Sequence, residues 1–449
     1  MRSEETQDSE LRTQNSMKSS YLNKNTIVIG LVSLLSDIST EMAYPLLPIF
    51  IKEVLKAPAT ALGLIEGIAN GTASIATGLS GWFSDRLGRR KPVAFSGYSL
   101  TALSKPFIAA ATNWPLVLAA RFTDRLGKGI RSAPKDALIA ETASEQDRGR
   151  AYGFERTMDY SGAVAGPLIG LAIFAALGVE RMRWIFLIAS APATLAALLI
   201  LLLREKNQPR AEQRQSARLT LRGTTRDYKY FLVASALFGL ANSANAFLIL
   251  RAQDLGLSSS GAVLAYTVYN AVAAVASLPA GQISDRLGRR DLLVIGYALY
   301  AAVYLGFGLG VRGWLIWTLF ATYGLYAALT DGAGKALAVD TAGRAGRGTA
   351  IGVYSAVNGG TQVVASYIAG VLWDSVQPSA TFYFGAALSA ASVLALLLTL
   401  PGATRRRGER RRGEGFRVRL EDERLEDEEA KGRRGDAVRR GGGAERRTL

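Results

Sequence analysis

GWFSDRLGRR, residues 81–90, returns as GQISDRLGRR at 281–290. Eight of the ten positions are the same, among them an aspartate, a glycine and a run of arginines. Each copy stands between long apolar stretches. A charged decamer in that setting reads as a loop between membrane-crossing segments, and its return about 200 residues later divides the chain into two halves.

The surrounding composition supports this. Hydrophobic residues make up 49% of the 449-residue chain. Many stand in blocks of about 20 with few charges, the length a helix needs to cross a bilayer. Candidate spans begin near Thr26, Ala59, Pro92, Trp114, Tyr152, Trp184, Tyr228, Ser260, Leu292, Trp314, Thr349 and Thr381. The expected fold class is therefore an all-α integral membrane protein with twelve transmembrane helices in two pseudo-symmetric six-helix bundles. Residues 1–25 read as a polar cytoplasmic N-terminus without the features of a cleaved leader. The bundles span 26–203 and 228–400, joined by a basic cytoplasmic linker at 204–227, and 401–449 form a charged cytoplasmic tail expected to be disordered.

Charge sets the orientation. The net charge is +16, gathered in the decamer loops, the middle segment and the tail, whereas ATNWP (111–115) and GVRG (310–313) are nearly uncharged. Short basic loops stay cytoplasmic, so both termini should face the cytoplasm of a multi-pass protein in the plasma membrane. Positive charge spread over loop ends argues against nucleic acid as a partner and for contact with membrane lipids.

Cysteine and histidine are both absent. Thiolate metal sites, cysteine nucleophiles and imidazole proton shuttles are thereby excluded, and a proton that moves on a side chain should move on a carboxylate. GLGVRG (308–313) matches G-x-G-x-x-G but follows an apolar span rather than a strand, and GAGKAL (332–337) lacks the rest of a phosphate loop. No enzyme activity, cofactor or resident metal is expected, and pumping has to draw on an ion gradient.

The repeat extends further: DRGRAYGFE (147–155) is echoed by GRGTAIGVY (346–354). On these motifs the chain resembles the major facilitator superfamily over roughly residues 26–400. Gly81, Asp85, Arg86, Gly88, Arg89 and Arg90 resemble the family's loop signature between spans two and three. Gly281, Asp285, Arg286, Gly288, Arg289 and Arg290 resemble its second-half copy. The resemblance implies a gate-latching role for these residues. Gly162, Gly166, Pro167 and Gly170 are similar to the family's antiporter signature, which implies export, although Leu171 stands where a further glycine often follows. Arg121 occupies the place of a membrane-embedded arginine linked to proton transfer, in a stretch (121–141) similar to a less characterised bacterial branch.

Asp37 and Glu41 lie one helical turn apart inside the first span, where an ionisable group normally faces a partner or a water-filled cavity. Glu66 and Lys105 are candidates for the same cavity, and Arg121 and Asp124 can pair along their own helix. The charges from Lys128 onward are expected at the cytoplasmic face. Asn242, Asn245, Arg251, Asp254, Asp331 and Lys335 are weaker candidates, and Tyr266, Tyr269 and Asn270 are candidates to line the cavity.

These observations predict a secondary active transporter that moves a small molecule by alternating access, with proton-coupled efflux as the leading mode and a monomer as the working unit. An importer or an exporter of metal or organic cations on the same fold is the alternative. A non-transporting receptor or a lipid flippase-like protein stands further off. Single cysteines introduced at Ser216 and Ser259 should label from opposite sides of the membrane; labelling from one side would overturn the topology.

Overall fold

The computed structural model describes residues 23–87, 89–142, 148–203, 205, 224–343 and 347–400. The first half holds α1 (Lys24–Val54), α2 (Ala59–Leu87), α3 (Arg90–Ala110), α4 (Trp114–Thr142), α5 (Arg148–Leu177) and α6 (Met182–Ile200). The second holds α7a (Arg226–Ala241), α7b (Ala246–Asp254), α8 (Ser259–Leu287), α9 (Arg289–Leu309), α10a (Leu315–Thr330), α10b (Ala333–Thr341), α11 (Arg347–Ser375) and α12 (Pro378–Thr399). Counting α7a with α7b and α10a with α10b, these are the twelve rods expected from hydropathy.

Side-chain caps start both halves. Asn23 Oδ1 accepts from the Thr26 amide at 2.9 Å, and Thr225 Oγ1 accepts from the Tyr228 amide at 3.0 Å. The first rod of each half is then broken. In α1, Pro45 and Pro48 remove backbone donors, and the helix passes through a 3₁₀ turn at Tyr44–Leu46 into a π turn at Phe50–Val54. Between α7a and α7b the chain bends by 41°. The carbonyl of Ala241, freed by that break, accepts from the Tyr300 hydroxyl at 2.7 Å, so no acceptor is stranded there.

Among the described helices, α1, α5, α6, α8, α9 and α12 are long and apolar enough to cross a membrane on their own, six in all, or seven with the bent α7 pair. Of the others, α10a is apolar but only 16 residues long, and α2, α3 and α4 carry the buried charges Glu66, Lys105, Arg121 and Asp124. Phe107, Trp184, Val233 and Leu305 stand exposed, as a surface against acyl chains requires.

The halves meet where small residues let backbones touch. A Cβ on Gly63 would sit 2.2 Å from the Ser366 carbonyl oxygen, and one on Gly370 would sit 2.7 Å from that of Ala59. At this end, away from the decamer loops, Asp374 of α11 caps α2. Its carboxylate accepts from the amides of Ala59 (3.1 Å) and Thr60 (2.7 Å) and from Thr60 Oγ1 (2.6 Å). Lys52 pairs with Asp254 at 3.1 Å beside it. Elsewhere between α5 and the second half, the Tyr160 and Ser277 hydroxyls stand 2.8 Å apart and an exposed Arg156–Asp331 pair closes to 3.1 Å.

The decamers do not superimpose as their sequences align. Arg90 donates to the Ala137 carbonyl and pairs with Glu141. In the second half Arg289, not Arg290, does the same, donating to Ala336 and pairing with Asp340 at 2.6 Å. Lys91 donates to the carbonyls of Leu201 and Leu203 at the end of α6, and Arg290 donates to those of Leu396 and Leu397 at the end of α12. The structural repeat is thus 199 residues from the arginines onward, as in the DRGRAYGFE echo. Gly288 makes the second reversal with φ of 95°, a conformation that favours glycine. Gly88 and the side chains of Asp85, Arg86, Asp285 and Arg286, with those of positions 81 and 281, lie outside the described residues.

This register predicts that Arg90→Gln and Arg289→Gln each lower stability by about 1 kcal/mol, since each loses a partly exposed pair and a carbonyl bond. Arg89→Gln should change it by less than about 0.5 kcal/mol. Thermal unfolding in detergent measures all three.

Candidate transport site

The α1 acids are set by α5. Gly162, Gly166 and Gly170 recur every four residues, which puts them in a line facing α1. A Cβ on Gly162 would lie 2.9 Å from the Asp37 Cβ, one on Gly166 2.9 Å from the Glu41 Cβ, and one on Gly170 2.5 Å from the Met42 carbonyl oxygen. The glycine series therefore seats the very turn that carries both carboxylates. Pro167 sits inside α5 between these contacts.

On the other side, α4 is drawn against α2 and α3 in the same way. A Cβ on Gly127 would meet the Gly97 carbonyl oxygen at 2.5 Å, and one on Gly129 would meet that of Ala73 at 2.9 Å. At these separations side chains from three helices join in one chain. Glu66 accepts from Arg121 Nε at 2.9 Å and from Nη2 at 2.7 Å. Arg121 Nη1 reaches Asp124 at 3.0 Å, and Asp124 accepts from Lys105 Nζ at 3.1 Å. All four are at most 3% exposed as side chains. Two carboxylates and two cations alternate, so the formal charges cancel and each is hydrogen-bonded, the condition for holding ions away from water.

Asp37 and Glu41 belong to a second, more open group. Each is half-buried, and Glu41 accepts from the hydroxyl of Tyr266, across the two halves, at 3.2 Å. Facing them from α4 are Arg125, Lys128 and Arg131, and from α5 Asp159. Arg131 donates to Ser36 Oγ and lies 4.3 Å from the Tyr98 ring centroid. Lys128 is exposed to the space between the helices. Of the charges from Lys128 onward, Lys135 pairs with Glu155, while Lys128 and Arg131 are directed at the α1 acids. Those two lie on the turns of the 29-residue α4 that face α1. The missed signal was the spacing of 121, 125, 128, 131 and 135, which is one helical face.

Tyrosines close the site from the second half. Rings of Tyr44 and Tyr266, Tyr266 and Tyr269, and Tyr269 and Tyr323 stand 5.6, 5.3 and 5.1 Å apart. Tyr323 donates to Asn245 Oδ1 at 2.8 Å at the α7 break. Asn270 lies beside Glu41. Arg251 is buried but turned away, donating to the Phe307 carbonyl. Asp254 pairs with Lys52 at the sealed end, and Lys335 is exposed. Between α5, α8 and α10 a cavity of about 950 Å³ is lined by Arg156, Tyr160, Ser277, Arg289 and Asp331.

The halves differ sharply at matching positions. In the 199-residue register Lys105 and Asp124 correspond to Tyr304 and Tyr323, and Arg121 to Phe320. Lys135 and Glu155 correspond to Gly334 and Tyr354, whose hydroxyl fills the space over the glycine.

The family model for the Major Facilitator Superfamily matches residues 29–244 and again 230–435. An uncharacterised MFS-type transporter of Methanocaldococcus jannaschii is 33% identical over 382 residues, 84% of this chain and 95% of that protein. The multi-drug resistance efflux pump PmrA of Streptococcus pneumoniae is 26% identical over 287 residues, 60% of this chain and 69% of the pump. Among solved structures, the nucleoside transporter NupG aligns with a TM-score of 0.70 at 15% identity, covering 84% of this chain and 99% of that one. A D-xylose-proton symporter aligns with 0.69 at 18% identity, over 85% and 98%. The chain belongs to the major facilitator superfamily: it is a multi-pass membrane transporter with twelve helices in two six-helix bundles.

Removing one member of the buried chain should be costly. Glu66→Ala leaves Arg121 without its principal partner and is expected to destabilise by about 3–5 kcal/mol. The double variant Glu66→Gln/Arg121→Gln should recover part of that loss, and thermal unfolding in detergent compares the two.

Proposed function

We propose that this transporter couples the movement of a small molecule to protons, with Asp37 and Glu41 as the carriers, and that it works in the direction of export. The observation that carries this reading is the Glu41–Tyr266 hydrogen bond. It joins a candidate proton carrier in the first half to a ring of the second, so the protonation of Glu41 and the separation of the halves are linked. A carboxylate accepts this bond strongly and a carboxylic acid weakly, which gives a proton leverage over the conformational equilibrium.

The surroundings support the assignment. Asp37 and Glu41 make no ion pair within 4 Å among the described residues, whereas Glu66 and Asp124 are locked by arginine and lysine. The groups facing the pair are Lys128, Arg125 and Arg131 on α4, Asp159 on α5, and Tyr266 and Asn270 on α8. Export draws support from the likeness to PmrA and from the glycine series on α5. The contacts through Gly63, Gly370 and Asp374 close the halves at the end away from the decamer loops, and an exporter would take its cargo from the opposite, basic face. The same reading places both termini in the cytoplasm of a plasma-membrane protein. It assigns 26–203 and 228–400 as the two moving bodies of a monomer, and Asp85 and Asp285 as gate latches.

Because the chain has no cysteine, a pair of spin labels can be placed at Asn113 and Arg312, exposed turns of the two halves. The inter-label distance distribution should shift between acid and alkaline pH in the parent protein. In Asp37→Asn/Glu41→Gln that shift should be lost; an unaltered pH response would remove these acids from the coupling role.

A further inference from the structure

Arg125 is only 9% exposed, yet its Nε is buried without a hydrogen-bond partner. Its guanidinium makes no ion pair within 4 Å among the described residues, and it stands 6.0 Å from the centroid of the Tyr44 ring. Lys128, three residues on, makes no ion pair within 4 Å among the described residues either; its side chain is exposed, and its charge acts on Asp37 and Asp159. The contrast within the same helix is informative. Arg121 is saturated by Glu66 and Asp124, and Arg131 is held by Ser36 and Tyr98. A buried guanidinium presents a rigid fork of donors that matches a carboxylate or phosphate, and leaving it unmade is costly.

We propose that Arg125 and Lys128 form a subsite for the anionic group of the cargo, and that the cargo is a small zwitterion with an apolar or aromatic body. Charge balance selects a zwitterion. The charges that act on one another where α1, α4 and α5 meet are Asp37, Glu41 and Asp159 against Arg125, Lys128 and Arg131, three of each sign. A simple anion or a simple cation would leave an uncompensated charge in a low-dielectric space, whereas a zwitterion preserves neutrality. Its anionic end meets Arg125 and Lys128. Its cationic end faces Asp37 and Asp159, where it competes with the transported proton and so keeps the sign that antiport requires. The tyrosine wall of Tyr44, Tyr266 and Tyr269 offers ring faces to the body between the two ends.

The inference rests on the open charge group around Asp37 and Glu41 being the transport site, as proposed above, and its test separates the two. Thermal stabilisation of the purified full-length protein is titrated with three probes on one ring: benzylamine, benzoate and 4-(aminomethyl)benzoate, at matched ionic strength. The zwitterion should bind ~10-fold more tightly than either singly charged probe, as a charge-assisted bond to a fork warrants. Arg125→Gln should bring it down to the level of benzylamine while leaving benzylamine within ~2-fold. Lys128→Gln, at an exposed side chain, carries the same expectation should Arg125→Gln fold poorly. Equal binding of benzylamine and the zwitterion by the parent protein, an unchanged affinity in both variants, or no stabilisation by any probe would each overturn the proposal. A zwitterion preference that Arg125→Gln abolishes, together with an intact pH response in Asp37→Asn/Glu41→Gln, would leave this subsite standing and discard the proton carriers.

Discussion

Holding an ion inside a membrane protein is cheap only where an opposite charge has been built beside it, and the chain Glu66–Arg121–Asp124–Lys105 shows what that demands. Its members come from α2, α4 and α3, and their bonds of 2.7 to 3.1 Å exist only if three helices approach to backbone contact. Gly97, Gly127 and Gly129 permit the approach. The charges and the glycines are thus one device: wider spacing would strand the ions, and apolar side chains would make the close packing unnecessary. With α4 fixed in this way, its next turns present Arg125, Lys128 and Arg131 to α1, and the open group inherits its geometry from the buried one.

The two halves share a plan and divide the chemistry. Arg90 with Glu141 and Arg289 with Asp340 perform the same task at the same face. Mid-membrane the likeness ends. Where the first half places Lys105 and Asp124, the second places Tyr304 and Tyr323, and a charge pair at Lys135–Glu155 becomes Gly334 under Tyr354. At these positions one bundle holds charged side chains; the other holds rings that offer a polarisable, uncharged wall. Glu41 and Tyr266 meet on the boundary between them.

Much of the architecture was legible in the order of residues. The starts expected near Trp114, Tyr228 and Thr381 lie within three residues of the observed helices, because capping residues and apolar onset mark them. The Arg121–Asp124 pair followed from its three-residue spacing, and the glycine series from its four-residue period. The decamer register misled by one position, since identity of letters in a loop does not fix which arginine meets the following helix. Arg125 and Lys128 were missed as interior residues because a run of charge resembles a solvated helix end, and only the neighbours supplied by α1 and α5 show otherwise. Asp374 gave no signal at all: a carboxylate that caps a helix over 300 residues away is visible only in three dimensions.

The uneven hydropathy of the rods bears on how the protein enters its membrane. α4 carries Arg121, Asp124, Arg125, Lys128 and Arg131, and α2 carries Glu66, so neither is apolar enough to cross a membrane by itself. Such segments partition poorly until their partners are present. Glu66 meets its counter-charge, Arg121, only once α4, about fifty residues later in the chain, is in place beside α2. The electroneutral chain thus cancels, between helices, the cost that Glu66 and Arg121 each impose on lodging their own helix in lipid.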